Sequence, residues 1–549
     1  MIRLCEIKLT LAQAEQPEPA LRAAAQRLLG LRADDIAGVD VFKRSFDARK
    51  ADLAAVYIVD VTLADGFGEA ALLAKFSSHP HIVSTPDMVW RPPVQVPSPL
   101  PHRPVVVGFG PCGIFAALAL AQMGLRPIVL ERGKPVRERT KDTWGLWRKN
   151  VLDPESNVQF GEGGAGTFSD GKLYSQIKDP RHLGRKVMNE FVKAGAPAEI
   201  LWAAHPHIGT FKLVKVVENM REQIIAMGGE IRFEQRVTDL LIEEGHLRGL
   251  TVLDQASGRS SELRADQVVL ALGHSSRDTF EMLHERGVFL EAKPFSIGFR
   301  IEHPQGVIDR ARWGRHAGHP LLGAADYKLV HHASNGRSVY SFCMCPGGTV
   351  VAATSEPNRV VTNGMSQYSR NERNANAGMV VGIDPRDYPG GPLAGIALQR
   401  QLESHAFVLG GGTYEAPGQL VGDFIAGRPS TQWGDVEPSY KPGVKPGDLH
   451  AALPGYAIEA LREALPAFGR KIKGFDRADA VLTGVETRTS SPLKITRGED
   501  YQSVNVRGLY PAGEGASYAG GILSAGVDGI RVGEAVAIQM LLSGTAAAT

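Results

Sequence analysis

Three glycines at the spacing GxGxxG stand in Gly108-Phe109-Gly110-Pro111-Cys112-Gly113, directly after the apolar run Pro104-Val105-Val106-Val107. In a chain with 62 glycines that spacing alone says little. Its setting says more, because it joins a strand-like run to a helix-like one. Residues 113–123 carry helical spacing, Ala117 and Gly124 continue it, and a second apolar run over 127–131 ends on Glu131. A turn of this kind receives a diphosphate. Gly108 would permit the tight bend, Gly110 would let backbone approach the phosphates, and Gly113 would let the helix close on the strand. The helix start, with Pro111 and Cys112 in its first turn, would offer free N–H donors and a partial positive charge. Glu131, with Arg132 beside it, could accept hydrogen bonds from ribose hydroxyls and would repel a 2′-phosphate.

A second loop, residues 161–173, has the same character. Gly163, Gly164 and Gly166 would let amides approach an extended ligand, while Thr167, Ser169 and Lys172 offer polar tips. Near the C-terminus an apolar run enters Gly513-Glu514-Gly515, and Gly520-Gly521-Ile522 opens a helix whose positive end could face the same ligand. Cys343-Met344-Cys345 invites a redox reading, since on a strand both thiols would share a face; cysteine is also a common small core residue. Arg488 could clamp a carboxylate with its planar fork or hold a domain interface. Lys172, Cys345 and Arg488 are therefore the candidates for catalysis. The sequence has no CxxC pair and no HExxH, and His331 and His332 are adjacent rather than one helical turn apart. No metal site is expected.

Two further stretches identify the dinucleotide. Gly-Gly-Glu-Ile-Arg-Phe-Glu-Gln-Arg-Val-Thr-Asp-Leu from Gly228, and Ala-Asp-Gln-Val-Val-Leu-Ala-Leu-Gly ending at Gly273, resemble the middle of glutathione-reductase-type FAD domains. The resemblance implies that Val237 lies against adenine and that Leu272 and Gly273 close under the cofactor. That type commonly has Thr where Leu272 stands and Asp where Glu514 stands, so one hydroxyl is missing here and one carboxylate arm is longer. With Thr-Gly-Val-Glu-Thr-Arg-Thr-Ser-Ser-Pro from Thr483 and Pro-Ala-Gly-Glu-Gly-Ala from Pro511, nearly the whole chain resembles a family of uncharacterised FAD-dependent dehydrogenases. These are distant relatives of fumarate-reductase and geranylgeranyl-reductase flavoproteins. The resemblance implies noncovalent FAD on the two glycine loops, with Gly513, Glu514, Gly521 and Ile522 completing the flavin end.

It also implies an oxidoreductase that passes a hydride through flavin N5 to or from a small organic substrate. With one dinucleotide fingerprint present, NAD(P)H would serve only as a transient donor. A flavin monooxygenase is the alternative, but residues 273–278 lack the Asp-Gly pair such hydroxylases use for pyridine-nucleotide contact. A nucleic-acid-associated flavoprotein is the other, but no aromatic-rich strand of the RNA-platform type precedes residue 90, and the net charge is only +2.

The elements that must position these residues follow from periodicity. Residues 1–90 read β-α-β-β-α-β, a ferredoxin-like α+β module. Residues 91–103 contain five prolines, with Pro104 directly after them, and read as a stiff, extended linker. The α/β pattern of a Rossmann-like FAD-binding domain fills residues 104–290 and returns over 481–549. An irregular, β-rich substrate domain is inserted at 291–480. Four cysteines make no disulfide framework for 549 residues, the N-terminus has no signal-peptide pattern, and no run would span a bilayer. The expectation is a cytoplasmic enzyme with a small-molecule substrate, no membrane partner and an oligomeric state the sequence leaves open.

Overall fold

The computed structural model describes residues 1–49, 52–97 and 102–547. Strands Ile2–Thr10 (β1), Ile36–Asp47 (β2), Ala54–Leu63 (β3) and Ile82–Ser84 (β4) form an antiparallel sheet in the order β2-β3-β1-β4. Helices Pro17–Leu29 (α1) and Glu69–Lys75 (α2) share its core. The alternation in β3 buries Ala55, Tyr57, Val59 and Val61 on one face, as a half-covered strand requires. This is the ferredoxin-like split-βαβ order. The outer edge of β2 does not face solvent alone: Arg44 N donates to Trp202 O and Ala204 N to Arg44 O, at 2.7 and 2.9 Å. The module is thereby stitched to the next domain.

Of the proline-rich stretch, residues 98–101 lie outside the described residues. The part before them lies on the following domain rather than standing clear of it. Val96 is buried and its N–H donates to Met123 O, and the Trp90 indole donates to Glu534 at 2.8 Å.

Strands Val105–Val107 (β5), Ile128–Leu130 (β6), Glu230–Arg232 (β7), Val268–Leu270 (β11) and Leu509–Pro511 (β20) make a parallel sheet ordered β20-β11-β5-β6-β7. The three central strands, β11, β5 and β6, are apolar throughout because both faces are covered, one by helices and the other mainly by the strands of residues 235–254. Helix Pro111–Gln122 (α3) is buried along most of its length and packs on the terminal helix Ile522–Ala547 (α6). Those two helices touch backbone to backbone: a side chain on Gly529 would sit 2.2 Å from Cys112 O. Between β7 and β11, Gln235–Glu243 (β8), His246–Asp254 (β9) and Arg259–Arg264 (β10) form an antiparallel meander. Strand β10 is almost entirely exposed, which is why its polar sequence reads as loop.

The inserted region is a second sheet, of eight strands among the described residues. They are Phe295–Pro304 (β12), Val330–His332 (β13), Ser338–Ala352 (β14), Thr362–Ser366 (β15), Asn374–Ile383 (β16), Ala416–Leu420 (β17), Val444–Pro446 (β18) and Val481–Glu486 (β19). The order is β13-β14-β16-β12-β19-β17-β18, with β15 against β14. Helix Gly455–Lys471 lays its apolar face into this core. The chain leaves this sheet only after Glu486, so β19 belongs with the inserted strands.

The two sheets meet across a buried ion network. The carboxylate of Glu403 accepts from Arg277 at 2.7 and 2.9 Å and from Arg488 at 2.9 and 3.0 Å. Arg277 starts a helix of the dinucleotide domain, and Glu403 sits in the helix Ala394–Leu409 of the inserted domain. The two guanidiniums hold the Glu403 carboxyl far below the usual carboxylate range. Replacing Glu403 with alanine leaves buried Arg488 without its carboxylate partner and Arg277 with Glu356 alone, a loss of about 3–5 kcal/mol. Glu403→Ala is expected to lower the chemical-denaturation midpoint sharply, whereas an exposed control such as Glu437→Ala should leave it unchanged.

Candidate functional site

In a parallel sheet the ligand crevice lies at the carboxyl ends of the strands. Four of the sequence motifs arrive there together: β5 runs into Gly108, β6 into Glu131, β11 into Leu272 and β20 into Gly513. Gly108 has φ +100°, and a side chain on it would lie 2.4 Å from Ala271 O. A side chain on Gly113 would lie 1.9 Å from Gly108 O. Both glycines are thus demanded by the turn itself.

The second glycine loop is folded against the first. Gly163 N donates to Phe109 O at 2.8 Å, and a side chain on Gly164 would meet Gly110 Cα at 2.8 Å. Glu131 fastens the pair. Its Oε2 accepts from Phe109 N at 2.9 Å, and its Oε1 accepts from Gly133 N and Gly161 N at 2.8 and 3.0 Å. A carboxylate has about four acceptor positions, so these three amides leave room for about one further donor such as a ribose hydroxyl. From behind, the fully buried Arg139 donates to the carbonyls of Asn157, Val158 and Glu162 at 2.7–2.8 Å. Its guanidinium is pulled down to about 10 by burial, against the nearby carboxylates of Glu131 and Glu162.

Between these loops and the inserted sheet lies a cavity of about 330 Å³. Gly108, Gly110, Pro111 and Cys112 line it from the first loop, with Glu131 and Arg132 beside them. Gly164, Ser169 and Lys172 line it from the second loop, and Val237, Leu272 and Gly273 from the strand side. Glu514, Gly521 and Ile522 close one end, and Cys345 and Arg488 stand on the wall from the inserted domain. Gly113, Gly163, Thr167 and Gly513 do not line the cavity. They stand one layer behind it, where Thr167 meets Arg139 and Gly513 N donates to Asp528.

The lining charges differ in how far they are already engaged. Arg132 is paired with Glu155 and Asp278 and lies 4.0 Å over the Phe160 ring. Arg488 spends its donors on Glu403, Ser275 and Ser355, which favours the interface reading. Lys172 is looser: its Nζ is 3.7 Å from Asp170, whose carboxylate already holds Arg370 at 2.6 and 3.0 Å. Glu514 is half-buried, its carboxylate makes no hydrogen bond among the described residues, and it is pushed up to about 7 by desolvation, with Lys293 opposing.

Sequence reasoning missed Arg139, Asp528 and His274. The first two act behind the cavity and carry no motif. His274 lines the cavity two residues past Leu272, with Nδ1 3.0 Å from Ser275 Oγ, and burial with the Arg488 and Arg277 charges pushes it down to about 3. It is a neutral ring at physiological pH. Its place directly after a strand-ending glycine was the available signal.

The arrangement fits a flavin dinucleotide. Two glycine loops present backbone to a long cavity, two helix N-termini point at it, and one end carries an unpartnered carboxyl. Comparison with known proteins agrees. Residues 161–299 match the FAD binding domain family, and residues 294–489 match the C-terminal domain-like family of FAD-dependent proteins. Residues 1–62 match a domain family of unknown function. An uncharacterized protein of Clostridium beijerinckii is 48% identical over 510 residues, covering 92% of this chain and 93% of its own. Among solved structures, the E. coli quinol fumarate reductase FrdA is 13% identical, with 81% of this chain and 71% of that one covered at a TM-score of 0.35. A geranylgeranyl bacteriochlorophyll reductase-like protein of Thermoplasma acidophilum is 12% identical, with 81% and 82% covered at 0.35. The chain belongs to one family with that Clostridium beijerinckii protein, a family of FAD-dependent proteins.

Two outcomes follow from this geometry. Gly164→Ala forces the loops apart at Gly110 and strains a φ of +64°, so the purified variant should lose most of its flavin while keeping its circular dichroism. Glu514 has a folded-state value raised from 4.5 to about 7, so in flavin-free protein it favours folding below about pH 4.5 and loses that contribution as pH rises through 7. The apoprotein of Glu514→Gln should therefore gain stability relative to wild type between pH 5 and 8, measured by urea unfolding at each pH, and a pH-independent difference would reject this.

Proposed function

We propose that the enzyme moves a hydride equivalent between FAD and a small organic molecule bound where the inserted domain roofs the cavity. One observation carries this: both glycine loops, the strand end at Leu272 and the helix start at Gly521 open onto one cavity whose far wall is Phe342, Asn363, Gly364 and Thr489. When bound, the flavin supplies reversible two-electron chemistry at N5.

The chain's own groups bind and orient. The first turn of α3 has N–H groups without intrahelical partners and offers them, with its positive end, to the diphosphate. Glu131 has about one acceptor position left for a ribose hydroxyl, and Val237 offers an apolar contact to the adenine. At the other end Glu514 is the group free to bond ribityl hydroxyls, and the start of α6 presents amides to the flavin edge. Lys172 and His274 face the remaining space, Lys172 as a cation and His274 as a neutral ring. The packed inserted domain keeps bulk water from the reacting end. NAD(P)H is assigned the part of a visiting electron donor, in a cytoplasmic setting. The reading gives no role to nucleic acid.

Purified protein should be yellow, release FAD rather than FMN on denaturation, and bleach under anaerobic NADH or NADPH. A hydroxylated product formed with oxygen would place it among monooxygenases instead. Glu514→Ala should weaken FAD binding about tenfold to a hundredfold, the equivalent of about 1.5–3 kcal/mol for a hydrogen bond to a charged group, and Glu514→Gln should cost less. Equal flavin affinity in all three proteins would remove Glu514 from the site.

A further inference from the structure

Cys343 and Cys345 lie in β14, on the cavity wall that faces the glycine loops. A regular strand would put them on one face two residues apart, but β14 is not regular there. Phe342 pairs with Gly378 and Cys345 with Asn376, so β14 carries one residue more than its partner. The extra residue is taken up at Cys343, whose φ is +40°. A non-glycine residue in that region is strained and persists only where its surroundings hold it. The bulge opens Cys343 to the cavity and turns Cys345 back on it: Cys345 Sγ lies 3.3 Å from Cys343 O.

Both positions are gripped by one cation. Arg300, fully buried in β12, donates from Nη2 to Cys343 O at 2.6 Å and to Cys345 Sγ at 3.5 Å. Its charge is matched by Glu486 at 3.2 Å. Lys172, from the second glycine loop, opposes the rise in pKa of both sulfurs. Desolvation by the enclosing cavity wall pushes Cys343 up to about 12, and burial pushes Cys345 upward, so the reduced pair rests as thiols, while Arg300 and Lys172 are placed to stabilise a thiolate as it forms. Of the other two cysteines, Cys5 lies in the N-terminal module, and Cys112 lines the same cavity from the first glycine loop with its thiol buried.

We infer that Cys343 and Cys345 form a dithiol/disulfide couple that exchanges an electron pair with the flavin, an inference that rests on the flavin reading above. The step balances within the protein. Two S–H bonds break and one S–S bond forms, two electrons and one proton pass to the oxidised flavin as a hydride equivalent, and the second proton leaves through the cavity to solvent. The reverse returns the pair to thiols. The enzyme would then hold two two-electron stores in contact, one in the cofactor and one in β14.

Two measurements test this. Diamide treatment followed by unfolding and thiol counting should lower the four free thiols of the chain to about two, with the tryptic peptide 338–359 lighter by two hydrogens. Cys343→Ser and Cys345→Ser should each abolish that bridge. Anaerobic dithionite titration of oxidised holoenzyme should then consume about four electrons per FAD in wild type and about two in either variant, since each couple takes two. Because the variants must bind FAD to be titrated, their flavin spectra report whether they fold. A preparation that binds no FAD defeats the flavin reading, and the diamide bridge still tests the cysteines. Protein that binds FAD but takes up only two electrons, or never forms the bridge, overturns this inference alone.

Discussion

The cradle depends on the Glu131 carboxylate. Gly108–Gly113 and residues 161–166 are separate in sequence, glycine-rich and entropically costly to fix. One buried carboxylate accepts from an amide of each, at Phe109 and Gly161, and from Gly133 in its own turn. Charge-assisted bonds of this kind are about twice as strong as neutral ones. With the Gly163–Phe109 bond and the Gly110–Gly164 contact, they make two mobile segments into one surface. From the opposite side Arg139 holds the second loop alone, through the carbonyls of Asn157, Val158 and Glu162. The residue that the motif assigns to the ribose thus also builds the site that receives it.

A second constraint sets the roof. The cavity closes only if the inserted sheet keeps its place over the parallel one. The Arg277–Glu403–Arg488 network fixes that relation with directional bonds, whereas apolar packing alone would allow sliding. The same roof brings Cys343 and Cys345 to the cavity that the second glycine loop also lines, with Arg300 buried behind them. The N-terminal module adds a third tie, through Trp202 and Ala204 on one side and the Leu11, Leu53 and Leu322 contact on the other.

Much of this was legible in the sequence where periodicity is strong. The strands of the N-terminal module, β5 with α3, and the return at β20 follow from apolar alternation and glycine punctuation. What could not be read is instructive. Strand β19, buried at every position, looks like any short apolar run, and only hydrogen bonding to β12 and β17 assigns it to the inserted sheet. The bulge at Cys343 depends on the register of β16, which no local pattern encodes. Thr167 and Ser169 are alike as polar loop residues, yet the former meets Arg139 and the latter faces the cavity. Asp528 and Arg139 are single charged residues on helices; their roles arise from partners distant in sequence.

Glu131 thus holds the two glycine loops together as one FAD cradle. Titrating apoprotein with FAD, in wild type and Glu131→Gln, tests it most directly, with hydrogen exchange of residues 157–168 followed in the same samples. A glutamine keeps one carbonyl acceptor and turns an NH₂ group toward the remaining amide, a loss of about 1–3 kcal/mol. FAD affinity should weaken by about tenfold to a hundredfold, together with faster exchange across the 157–168 segment. Unchanged affinity with unchanged exchange would contradict it.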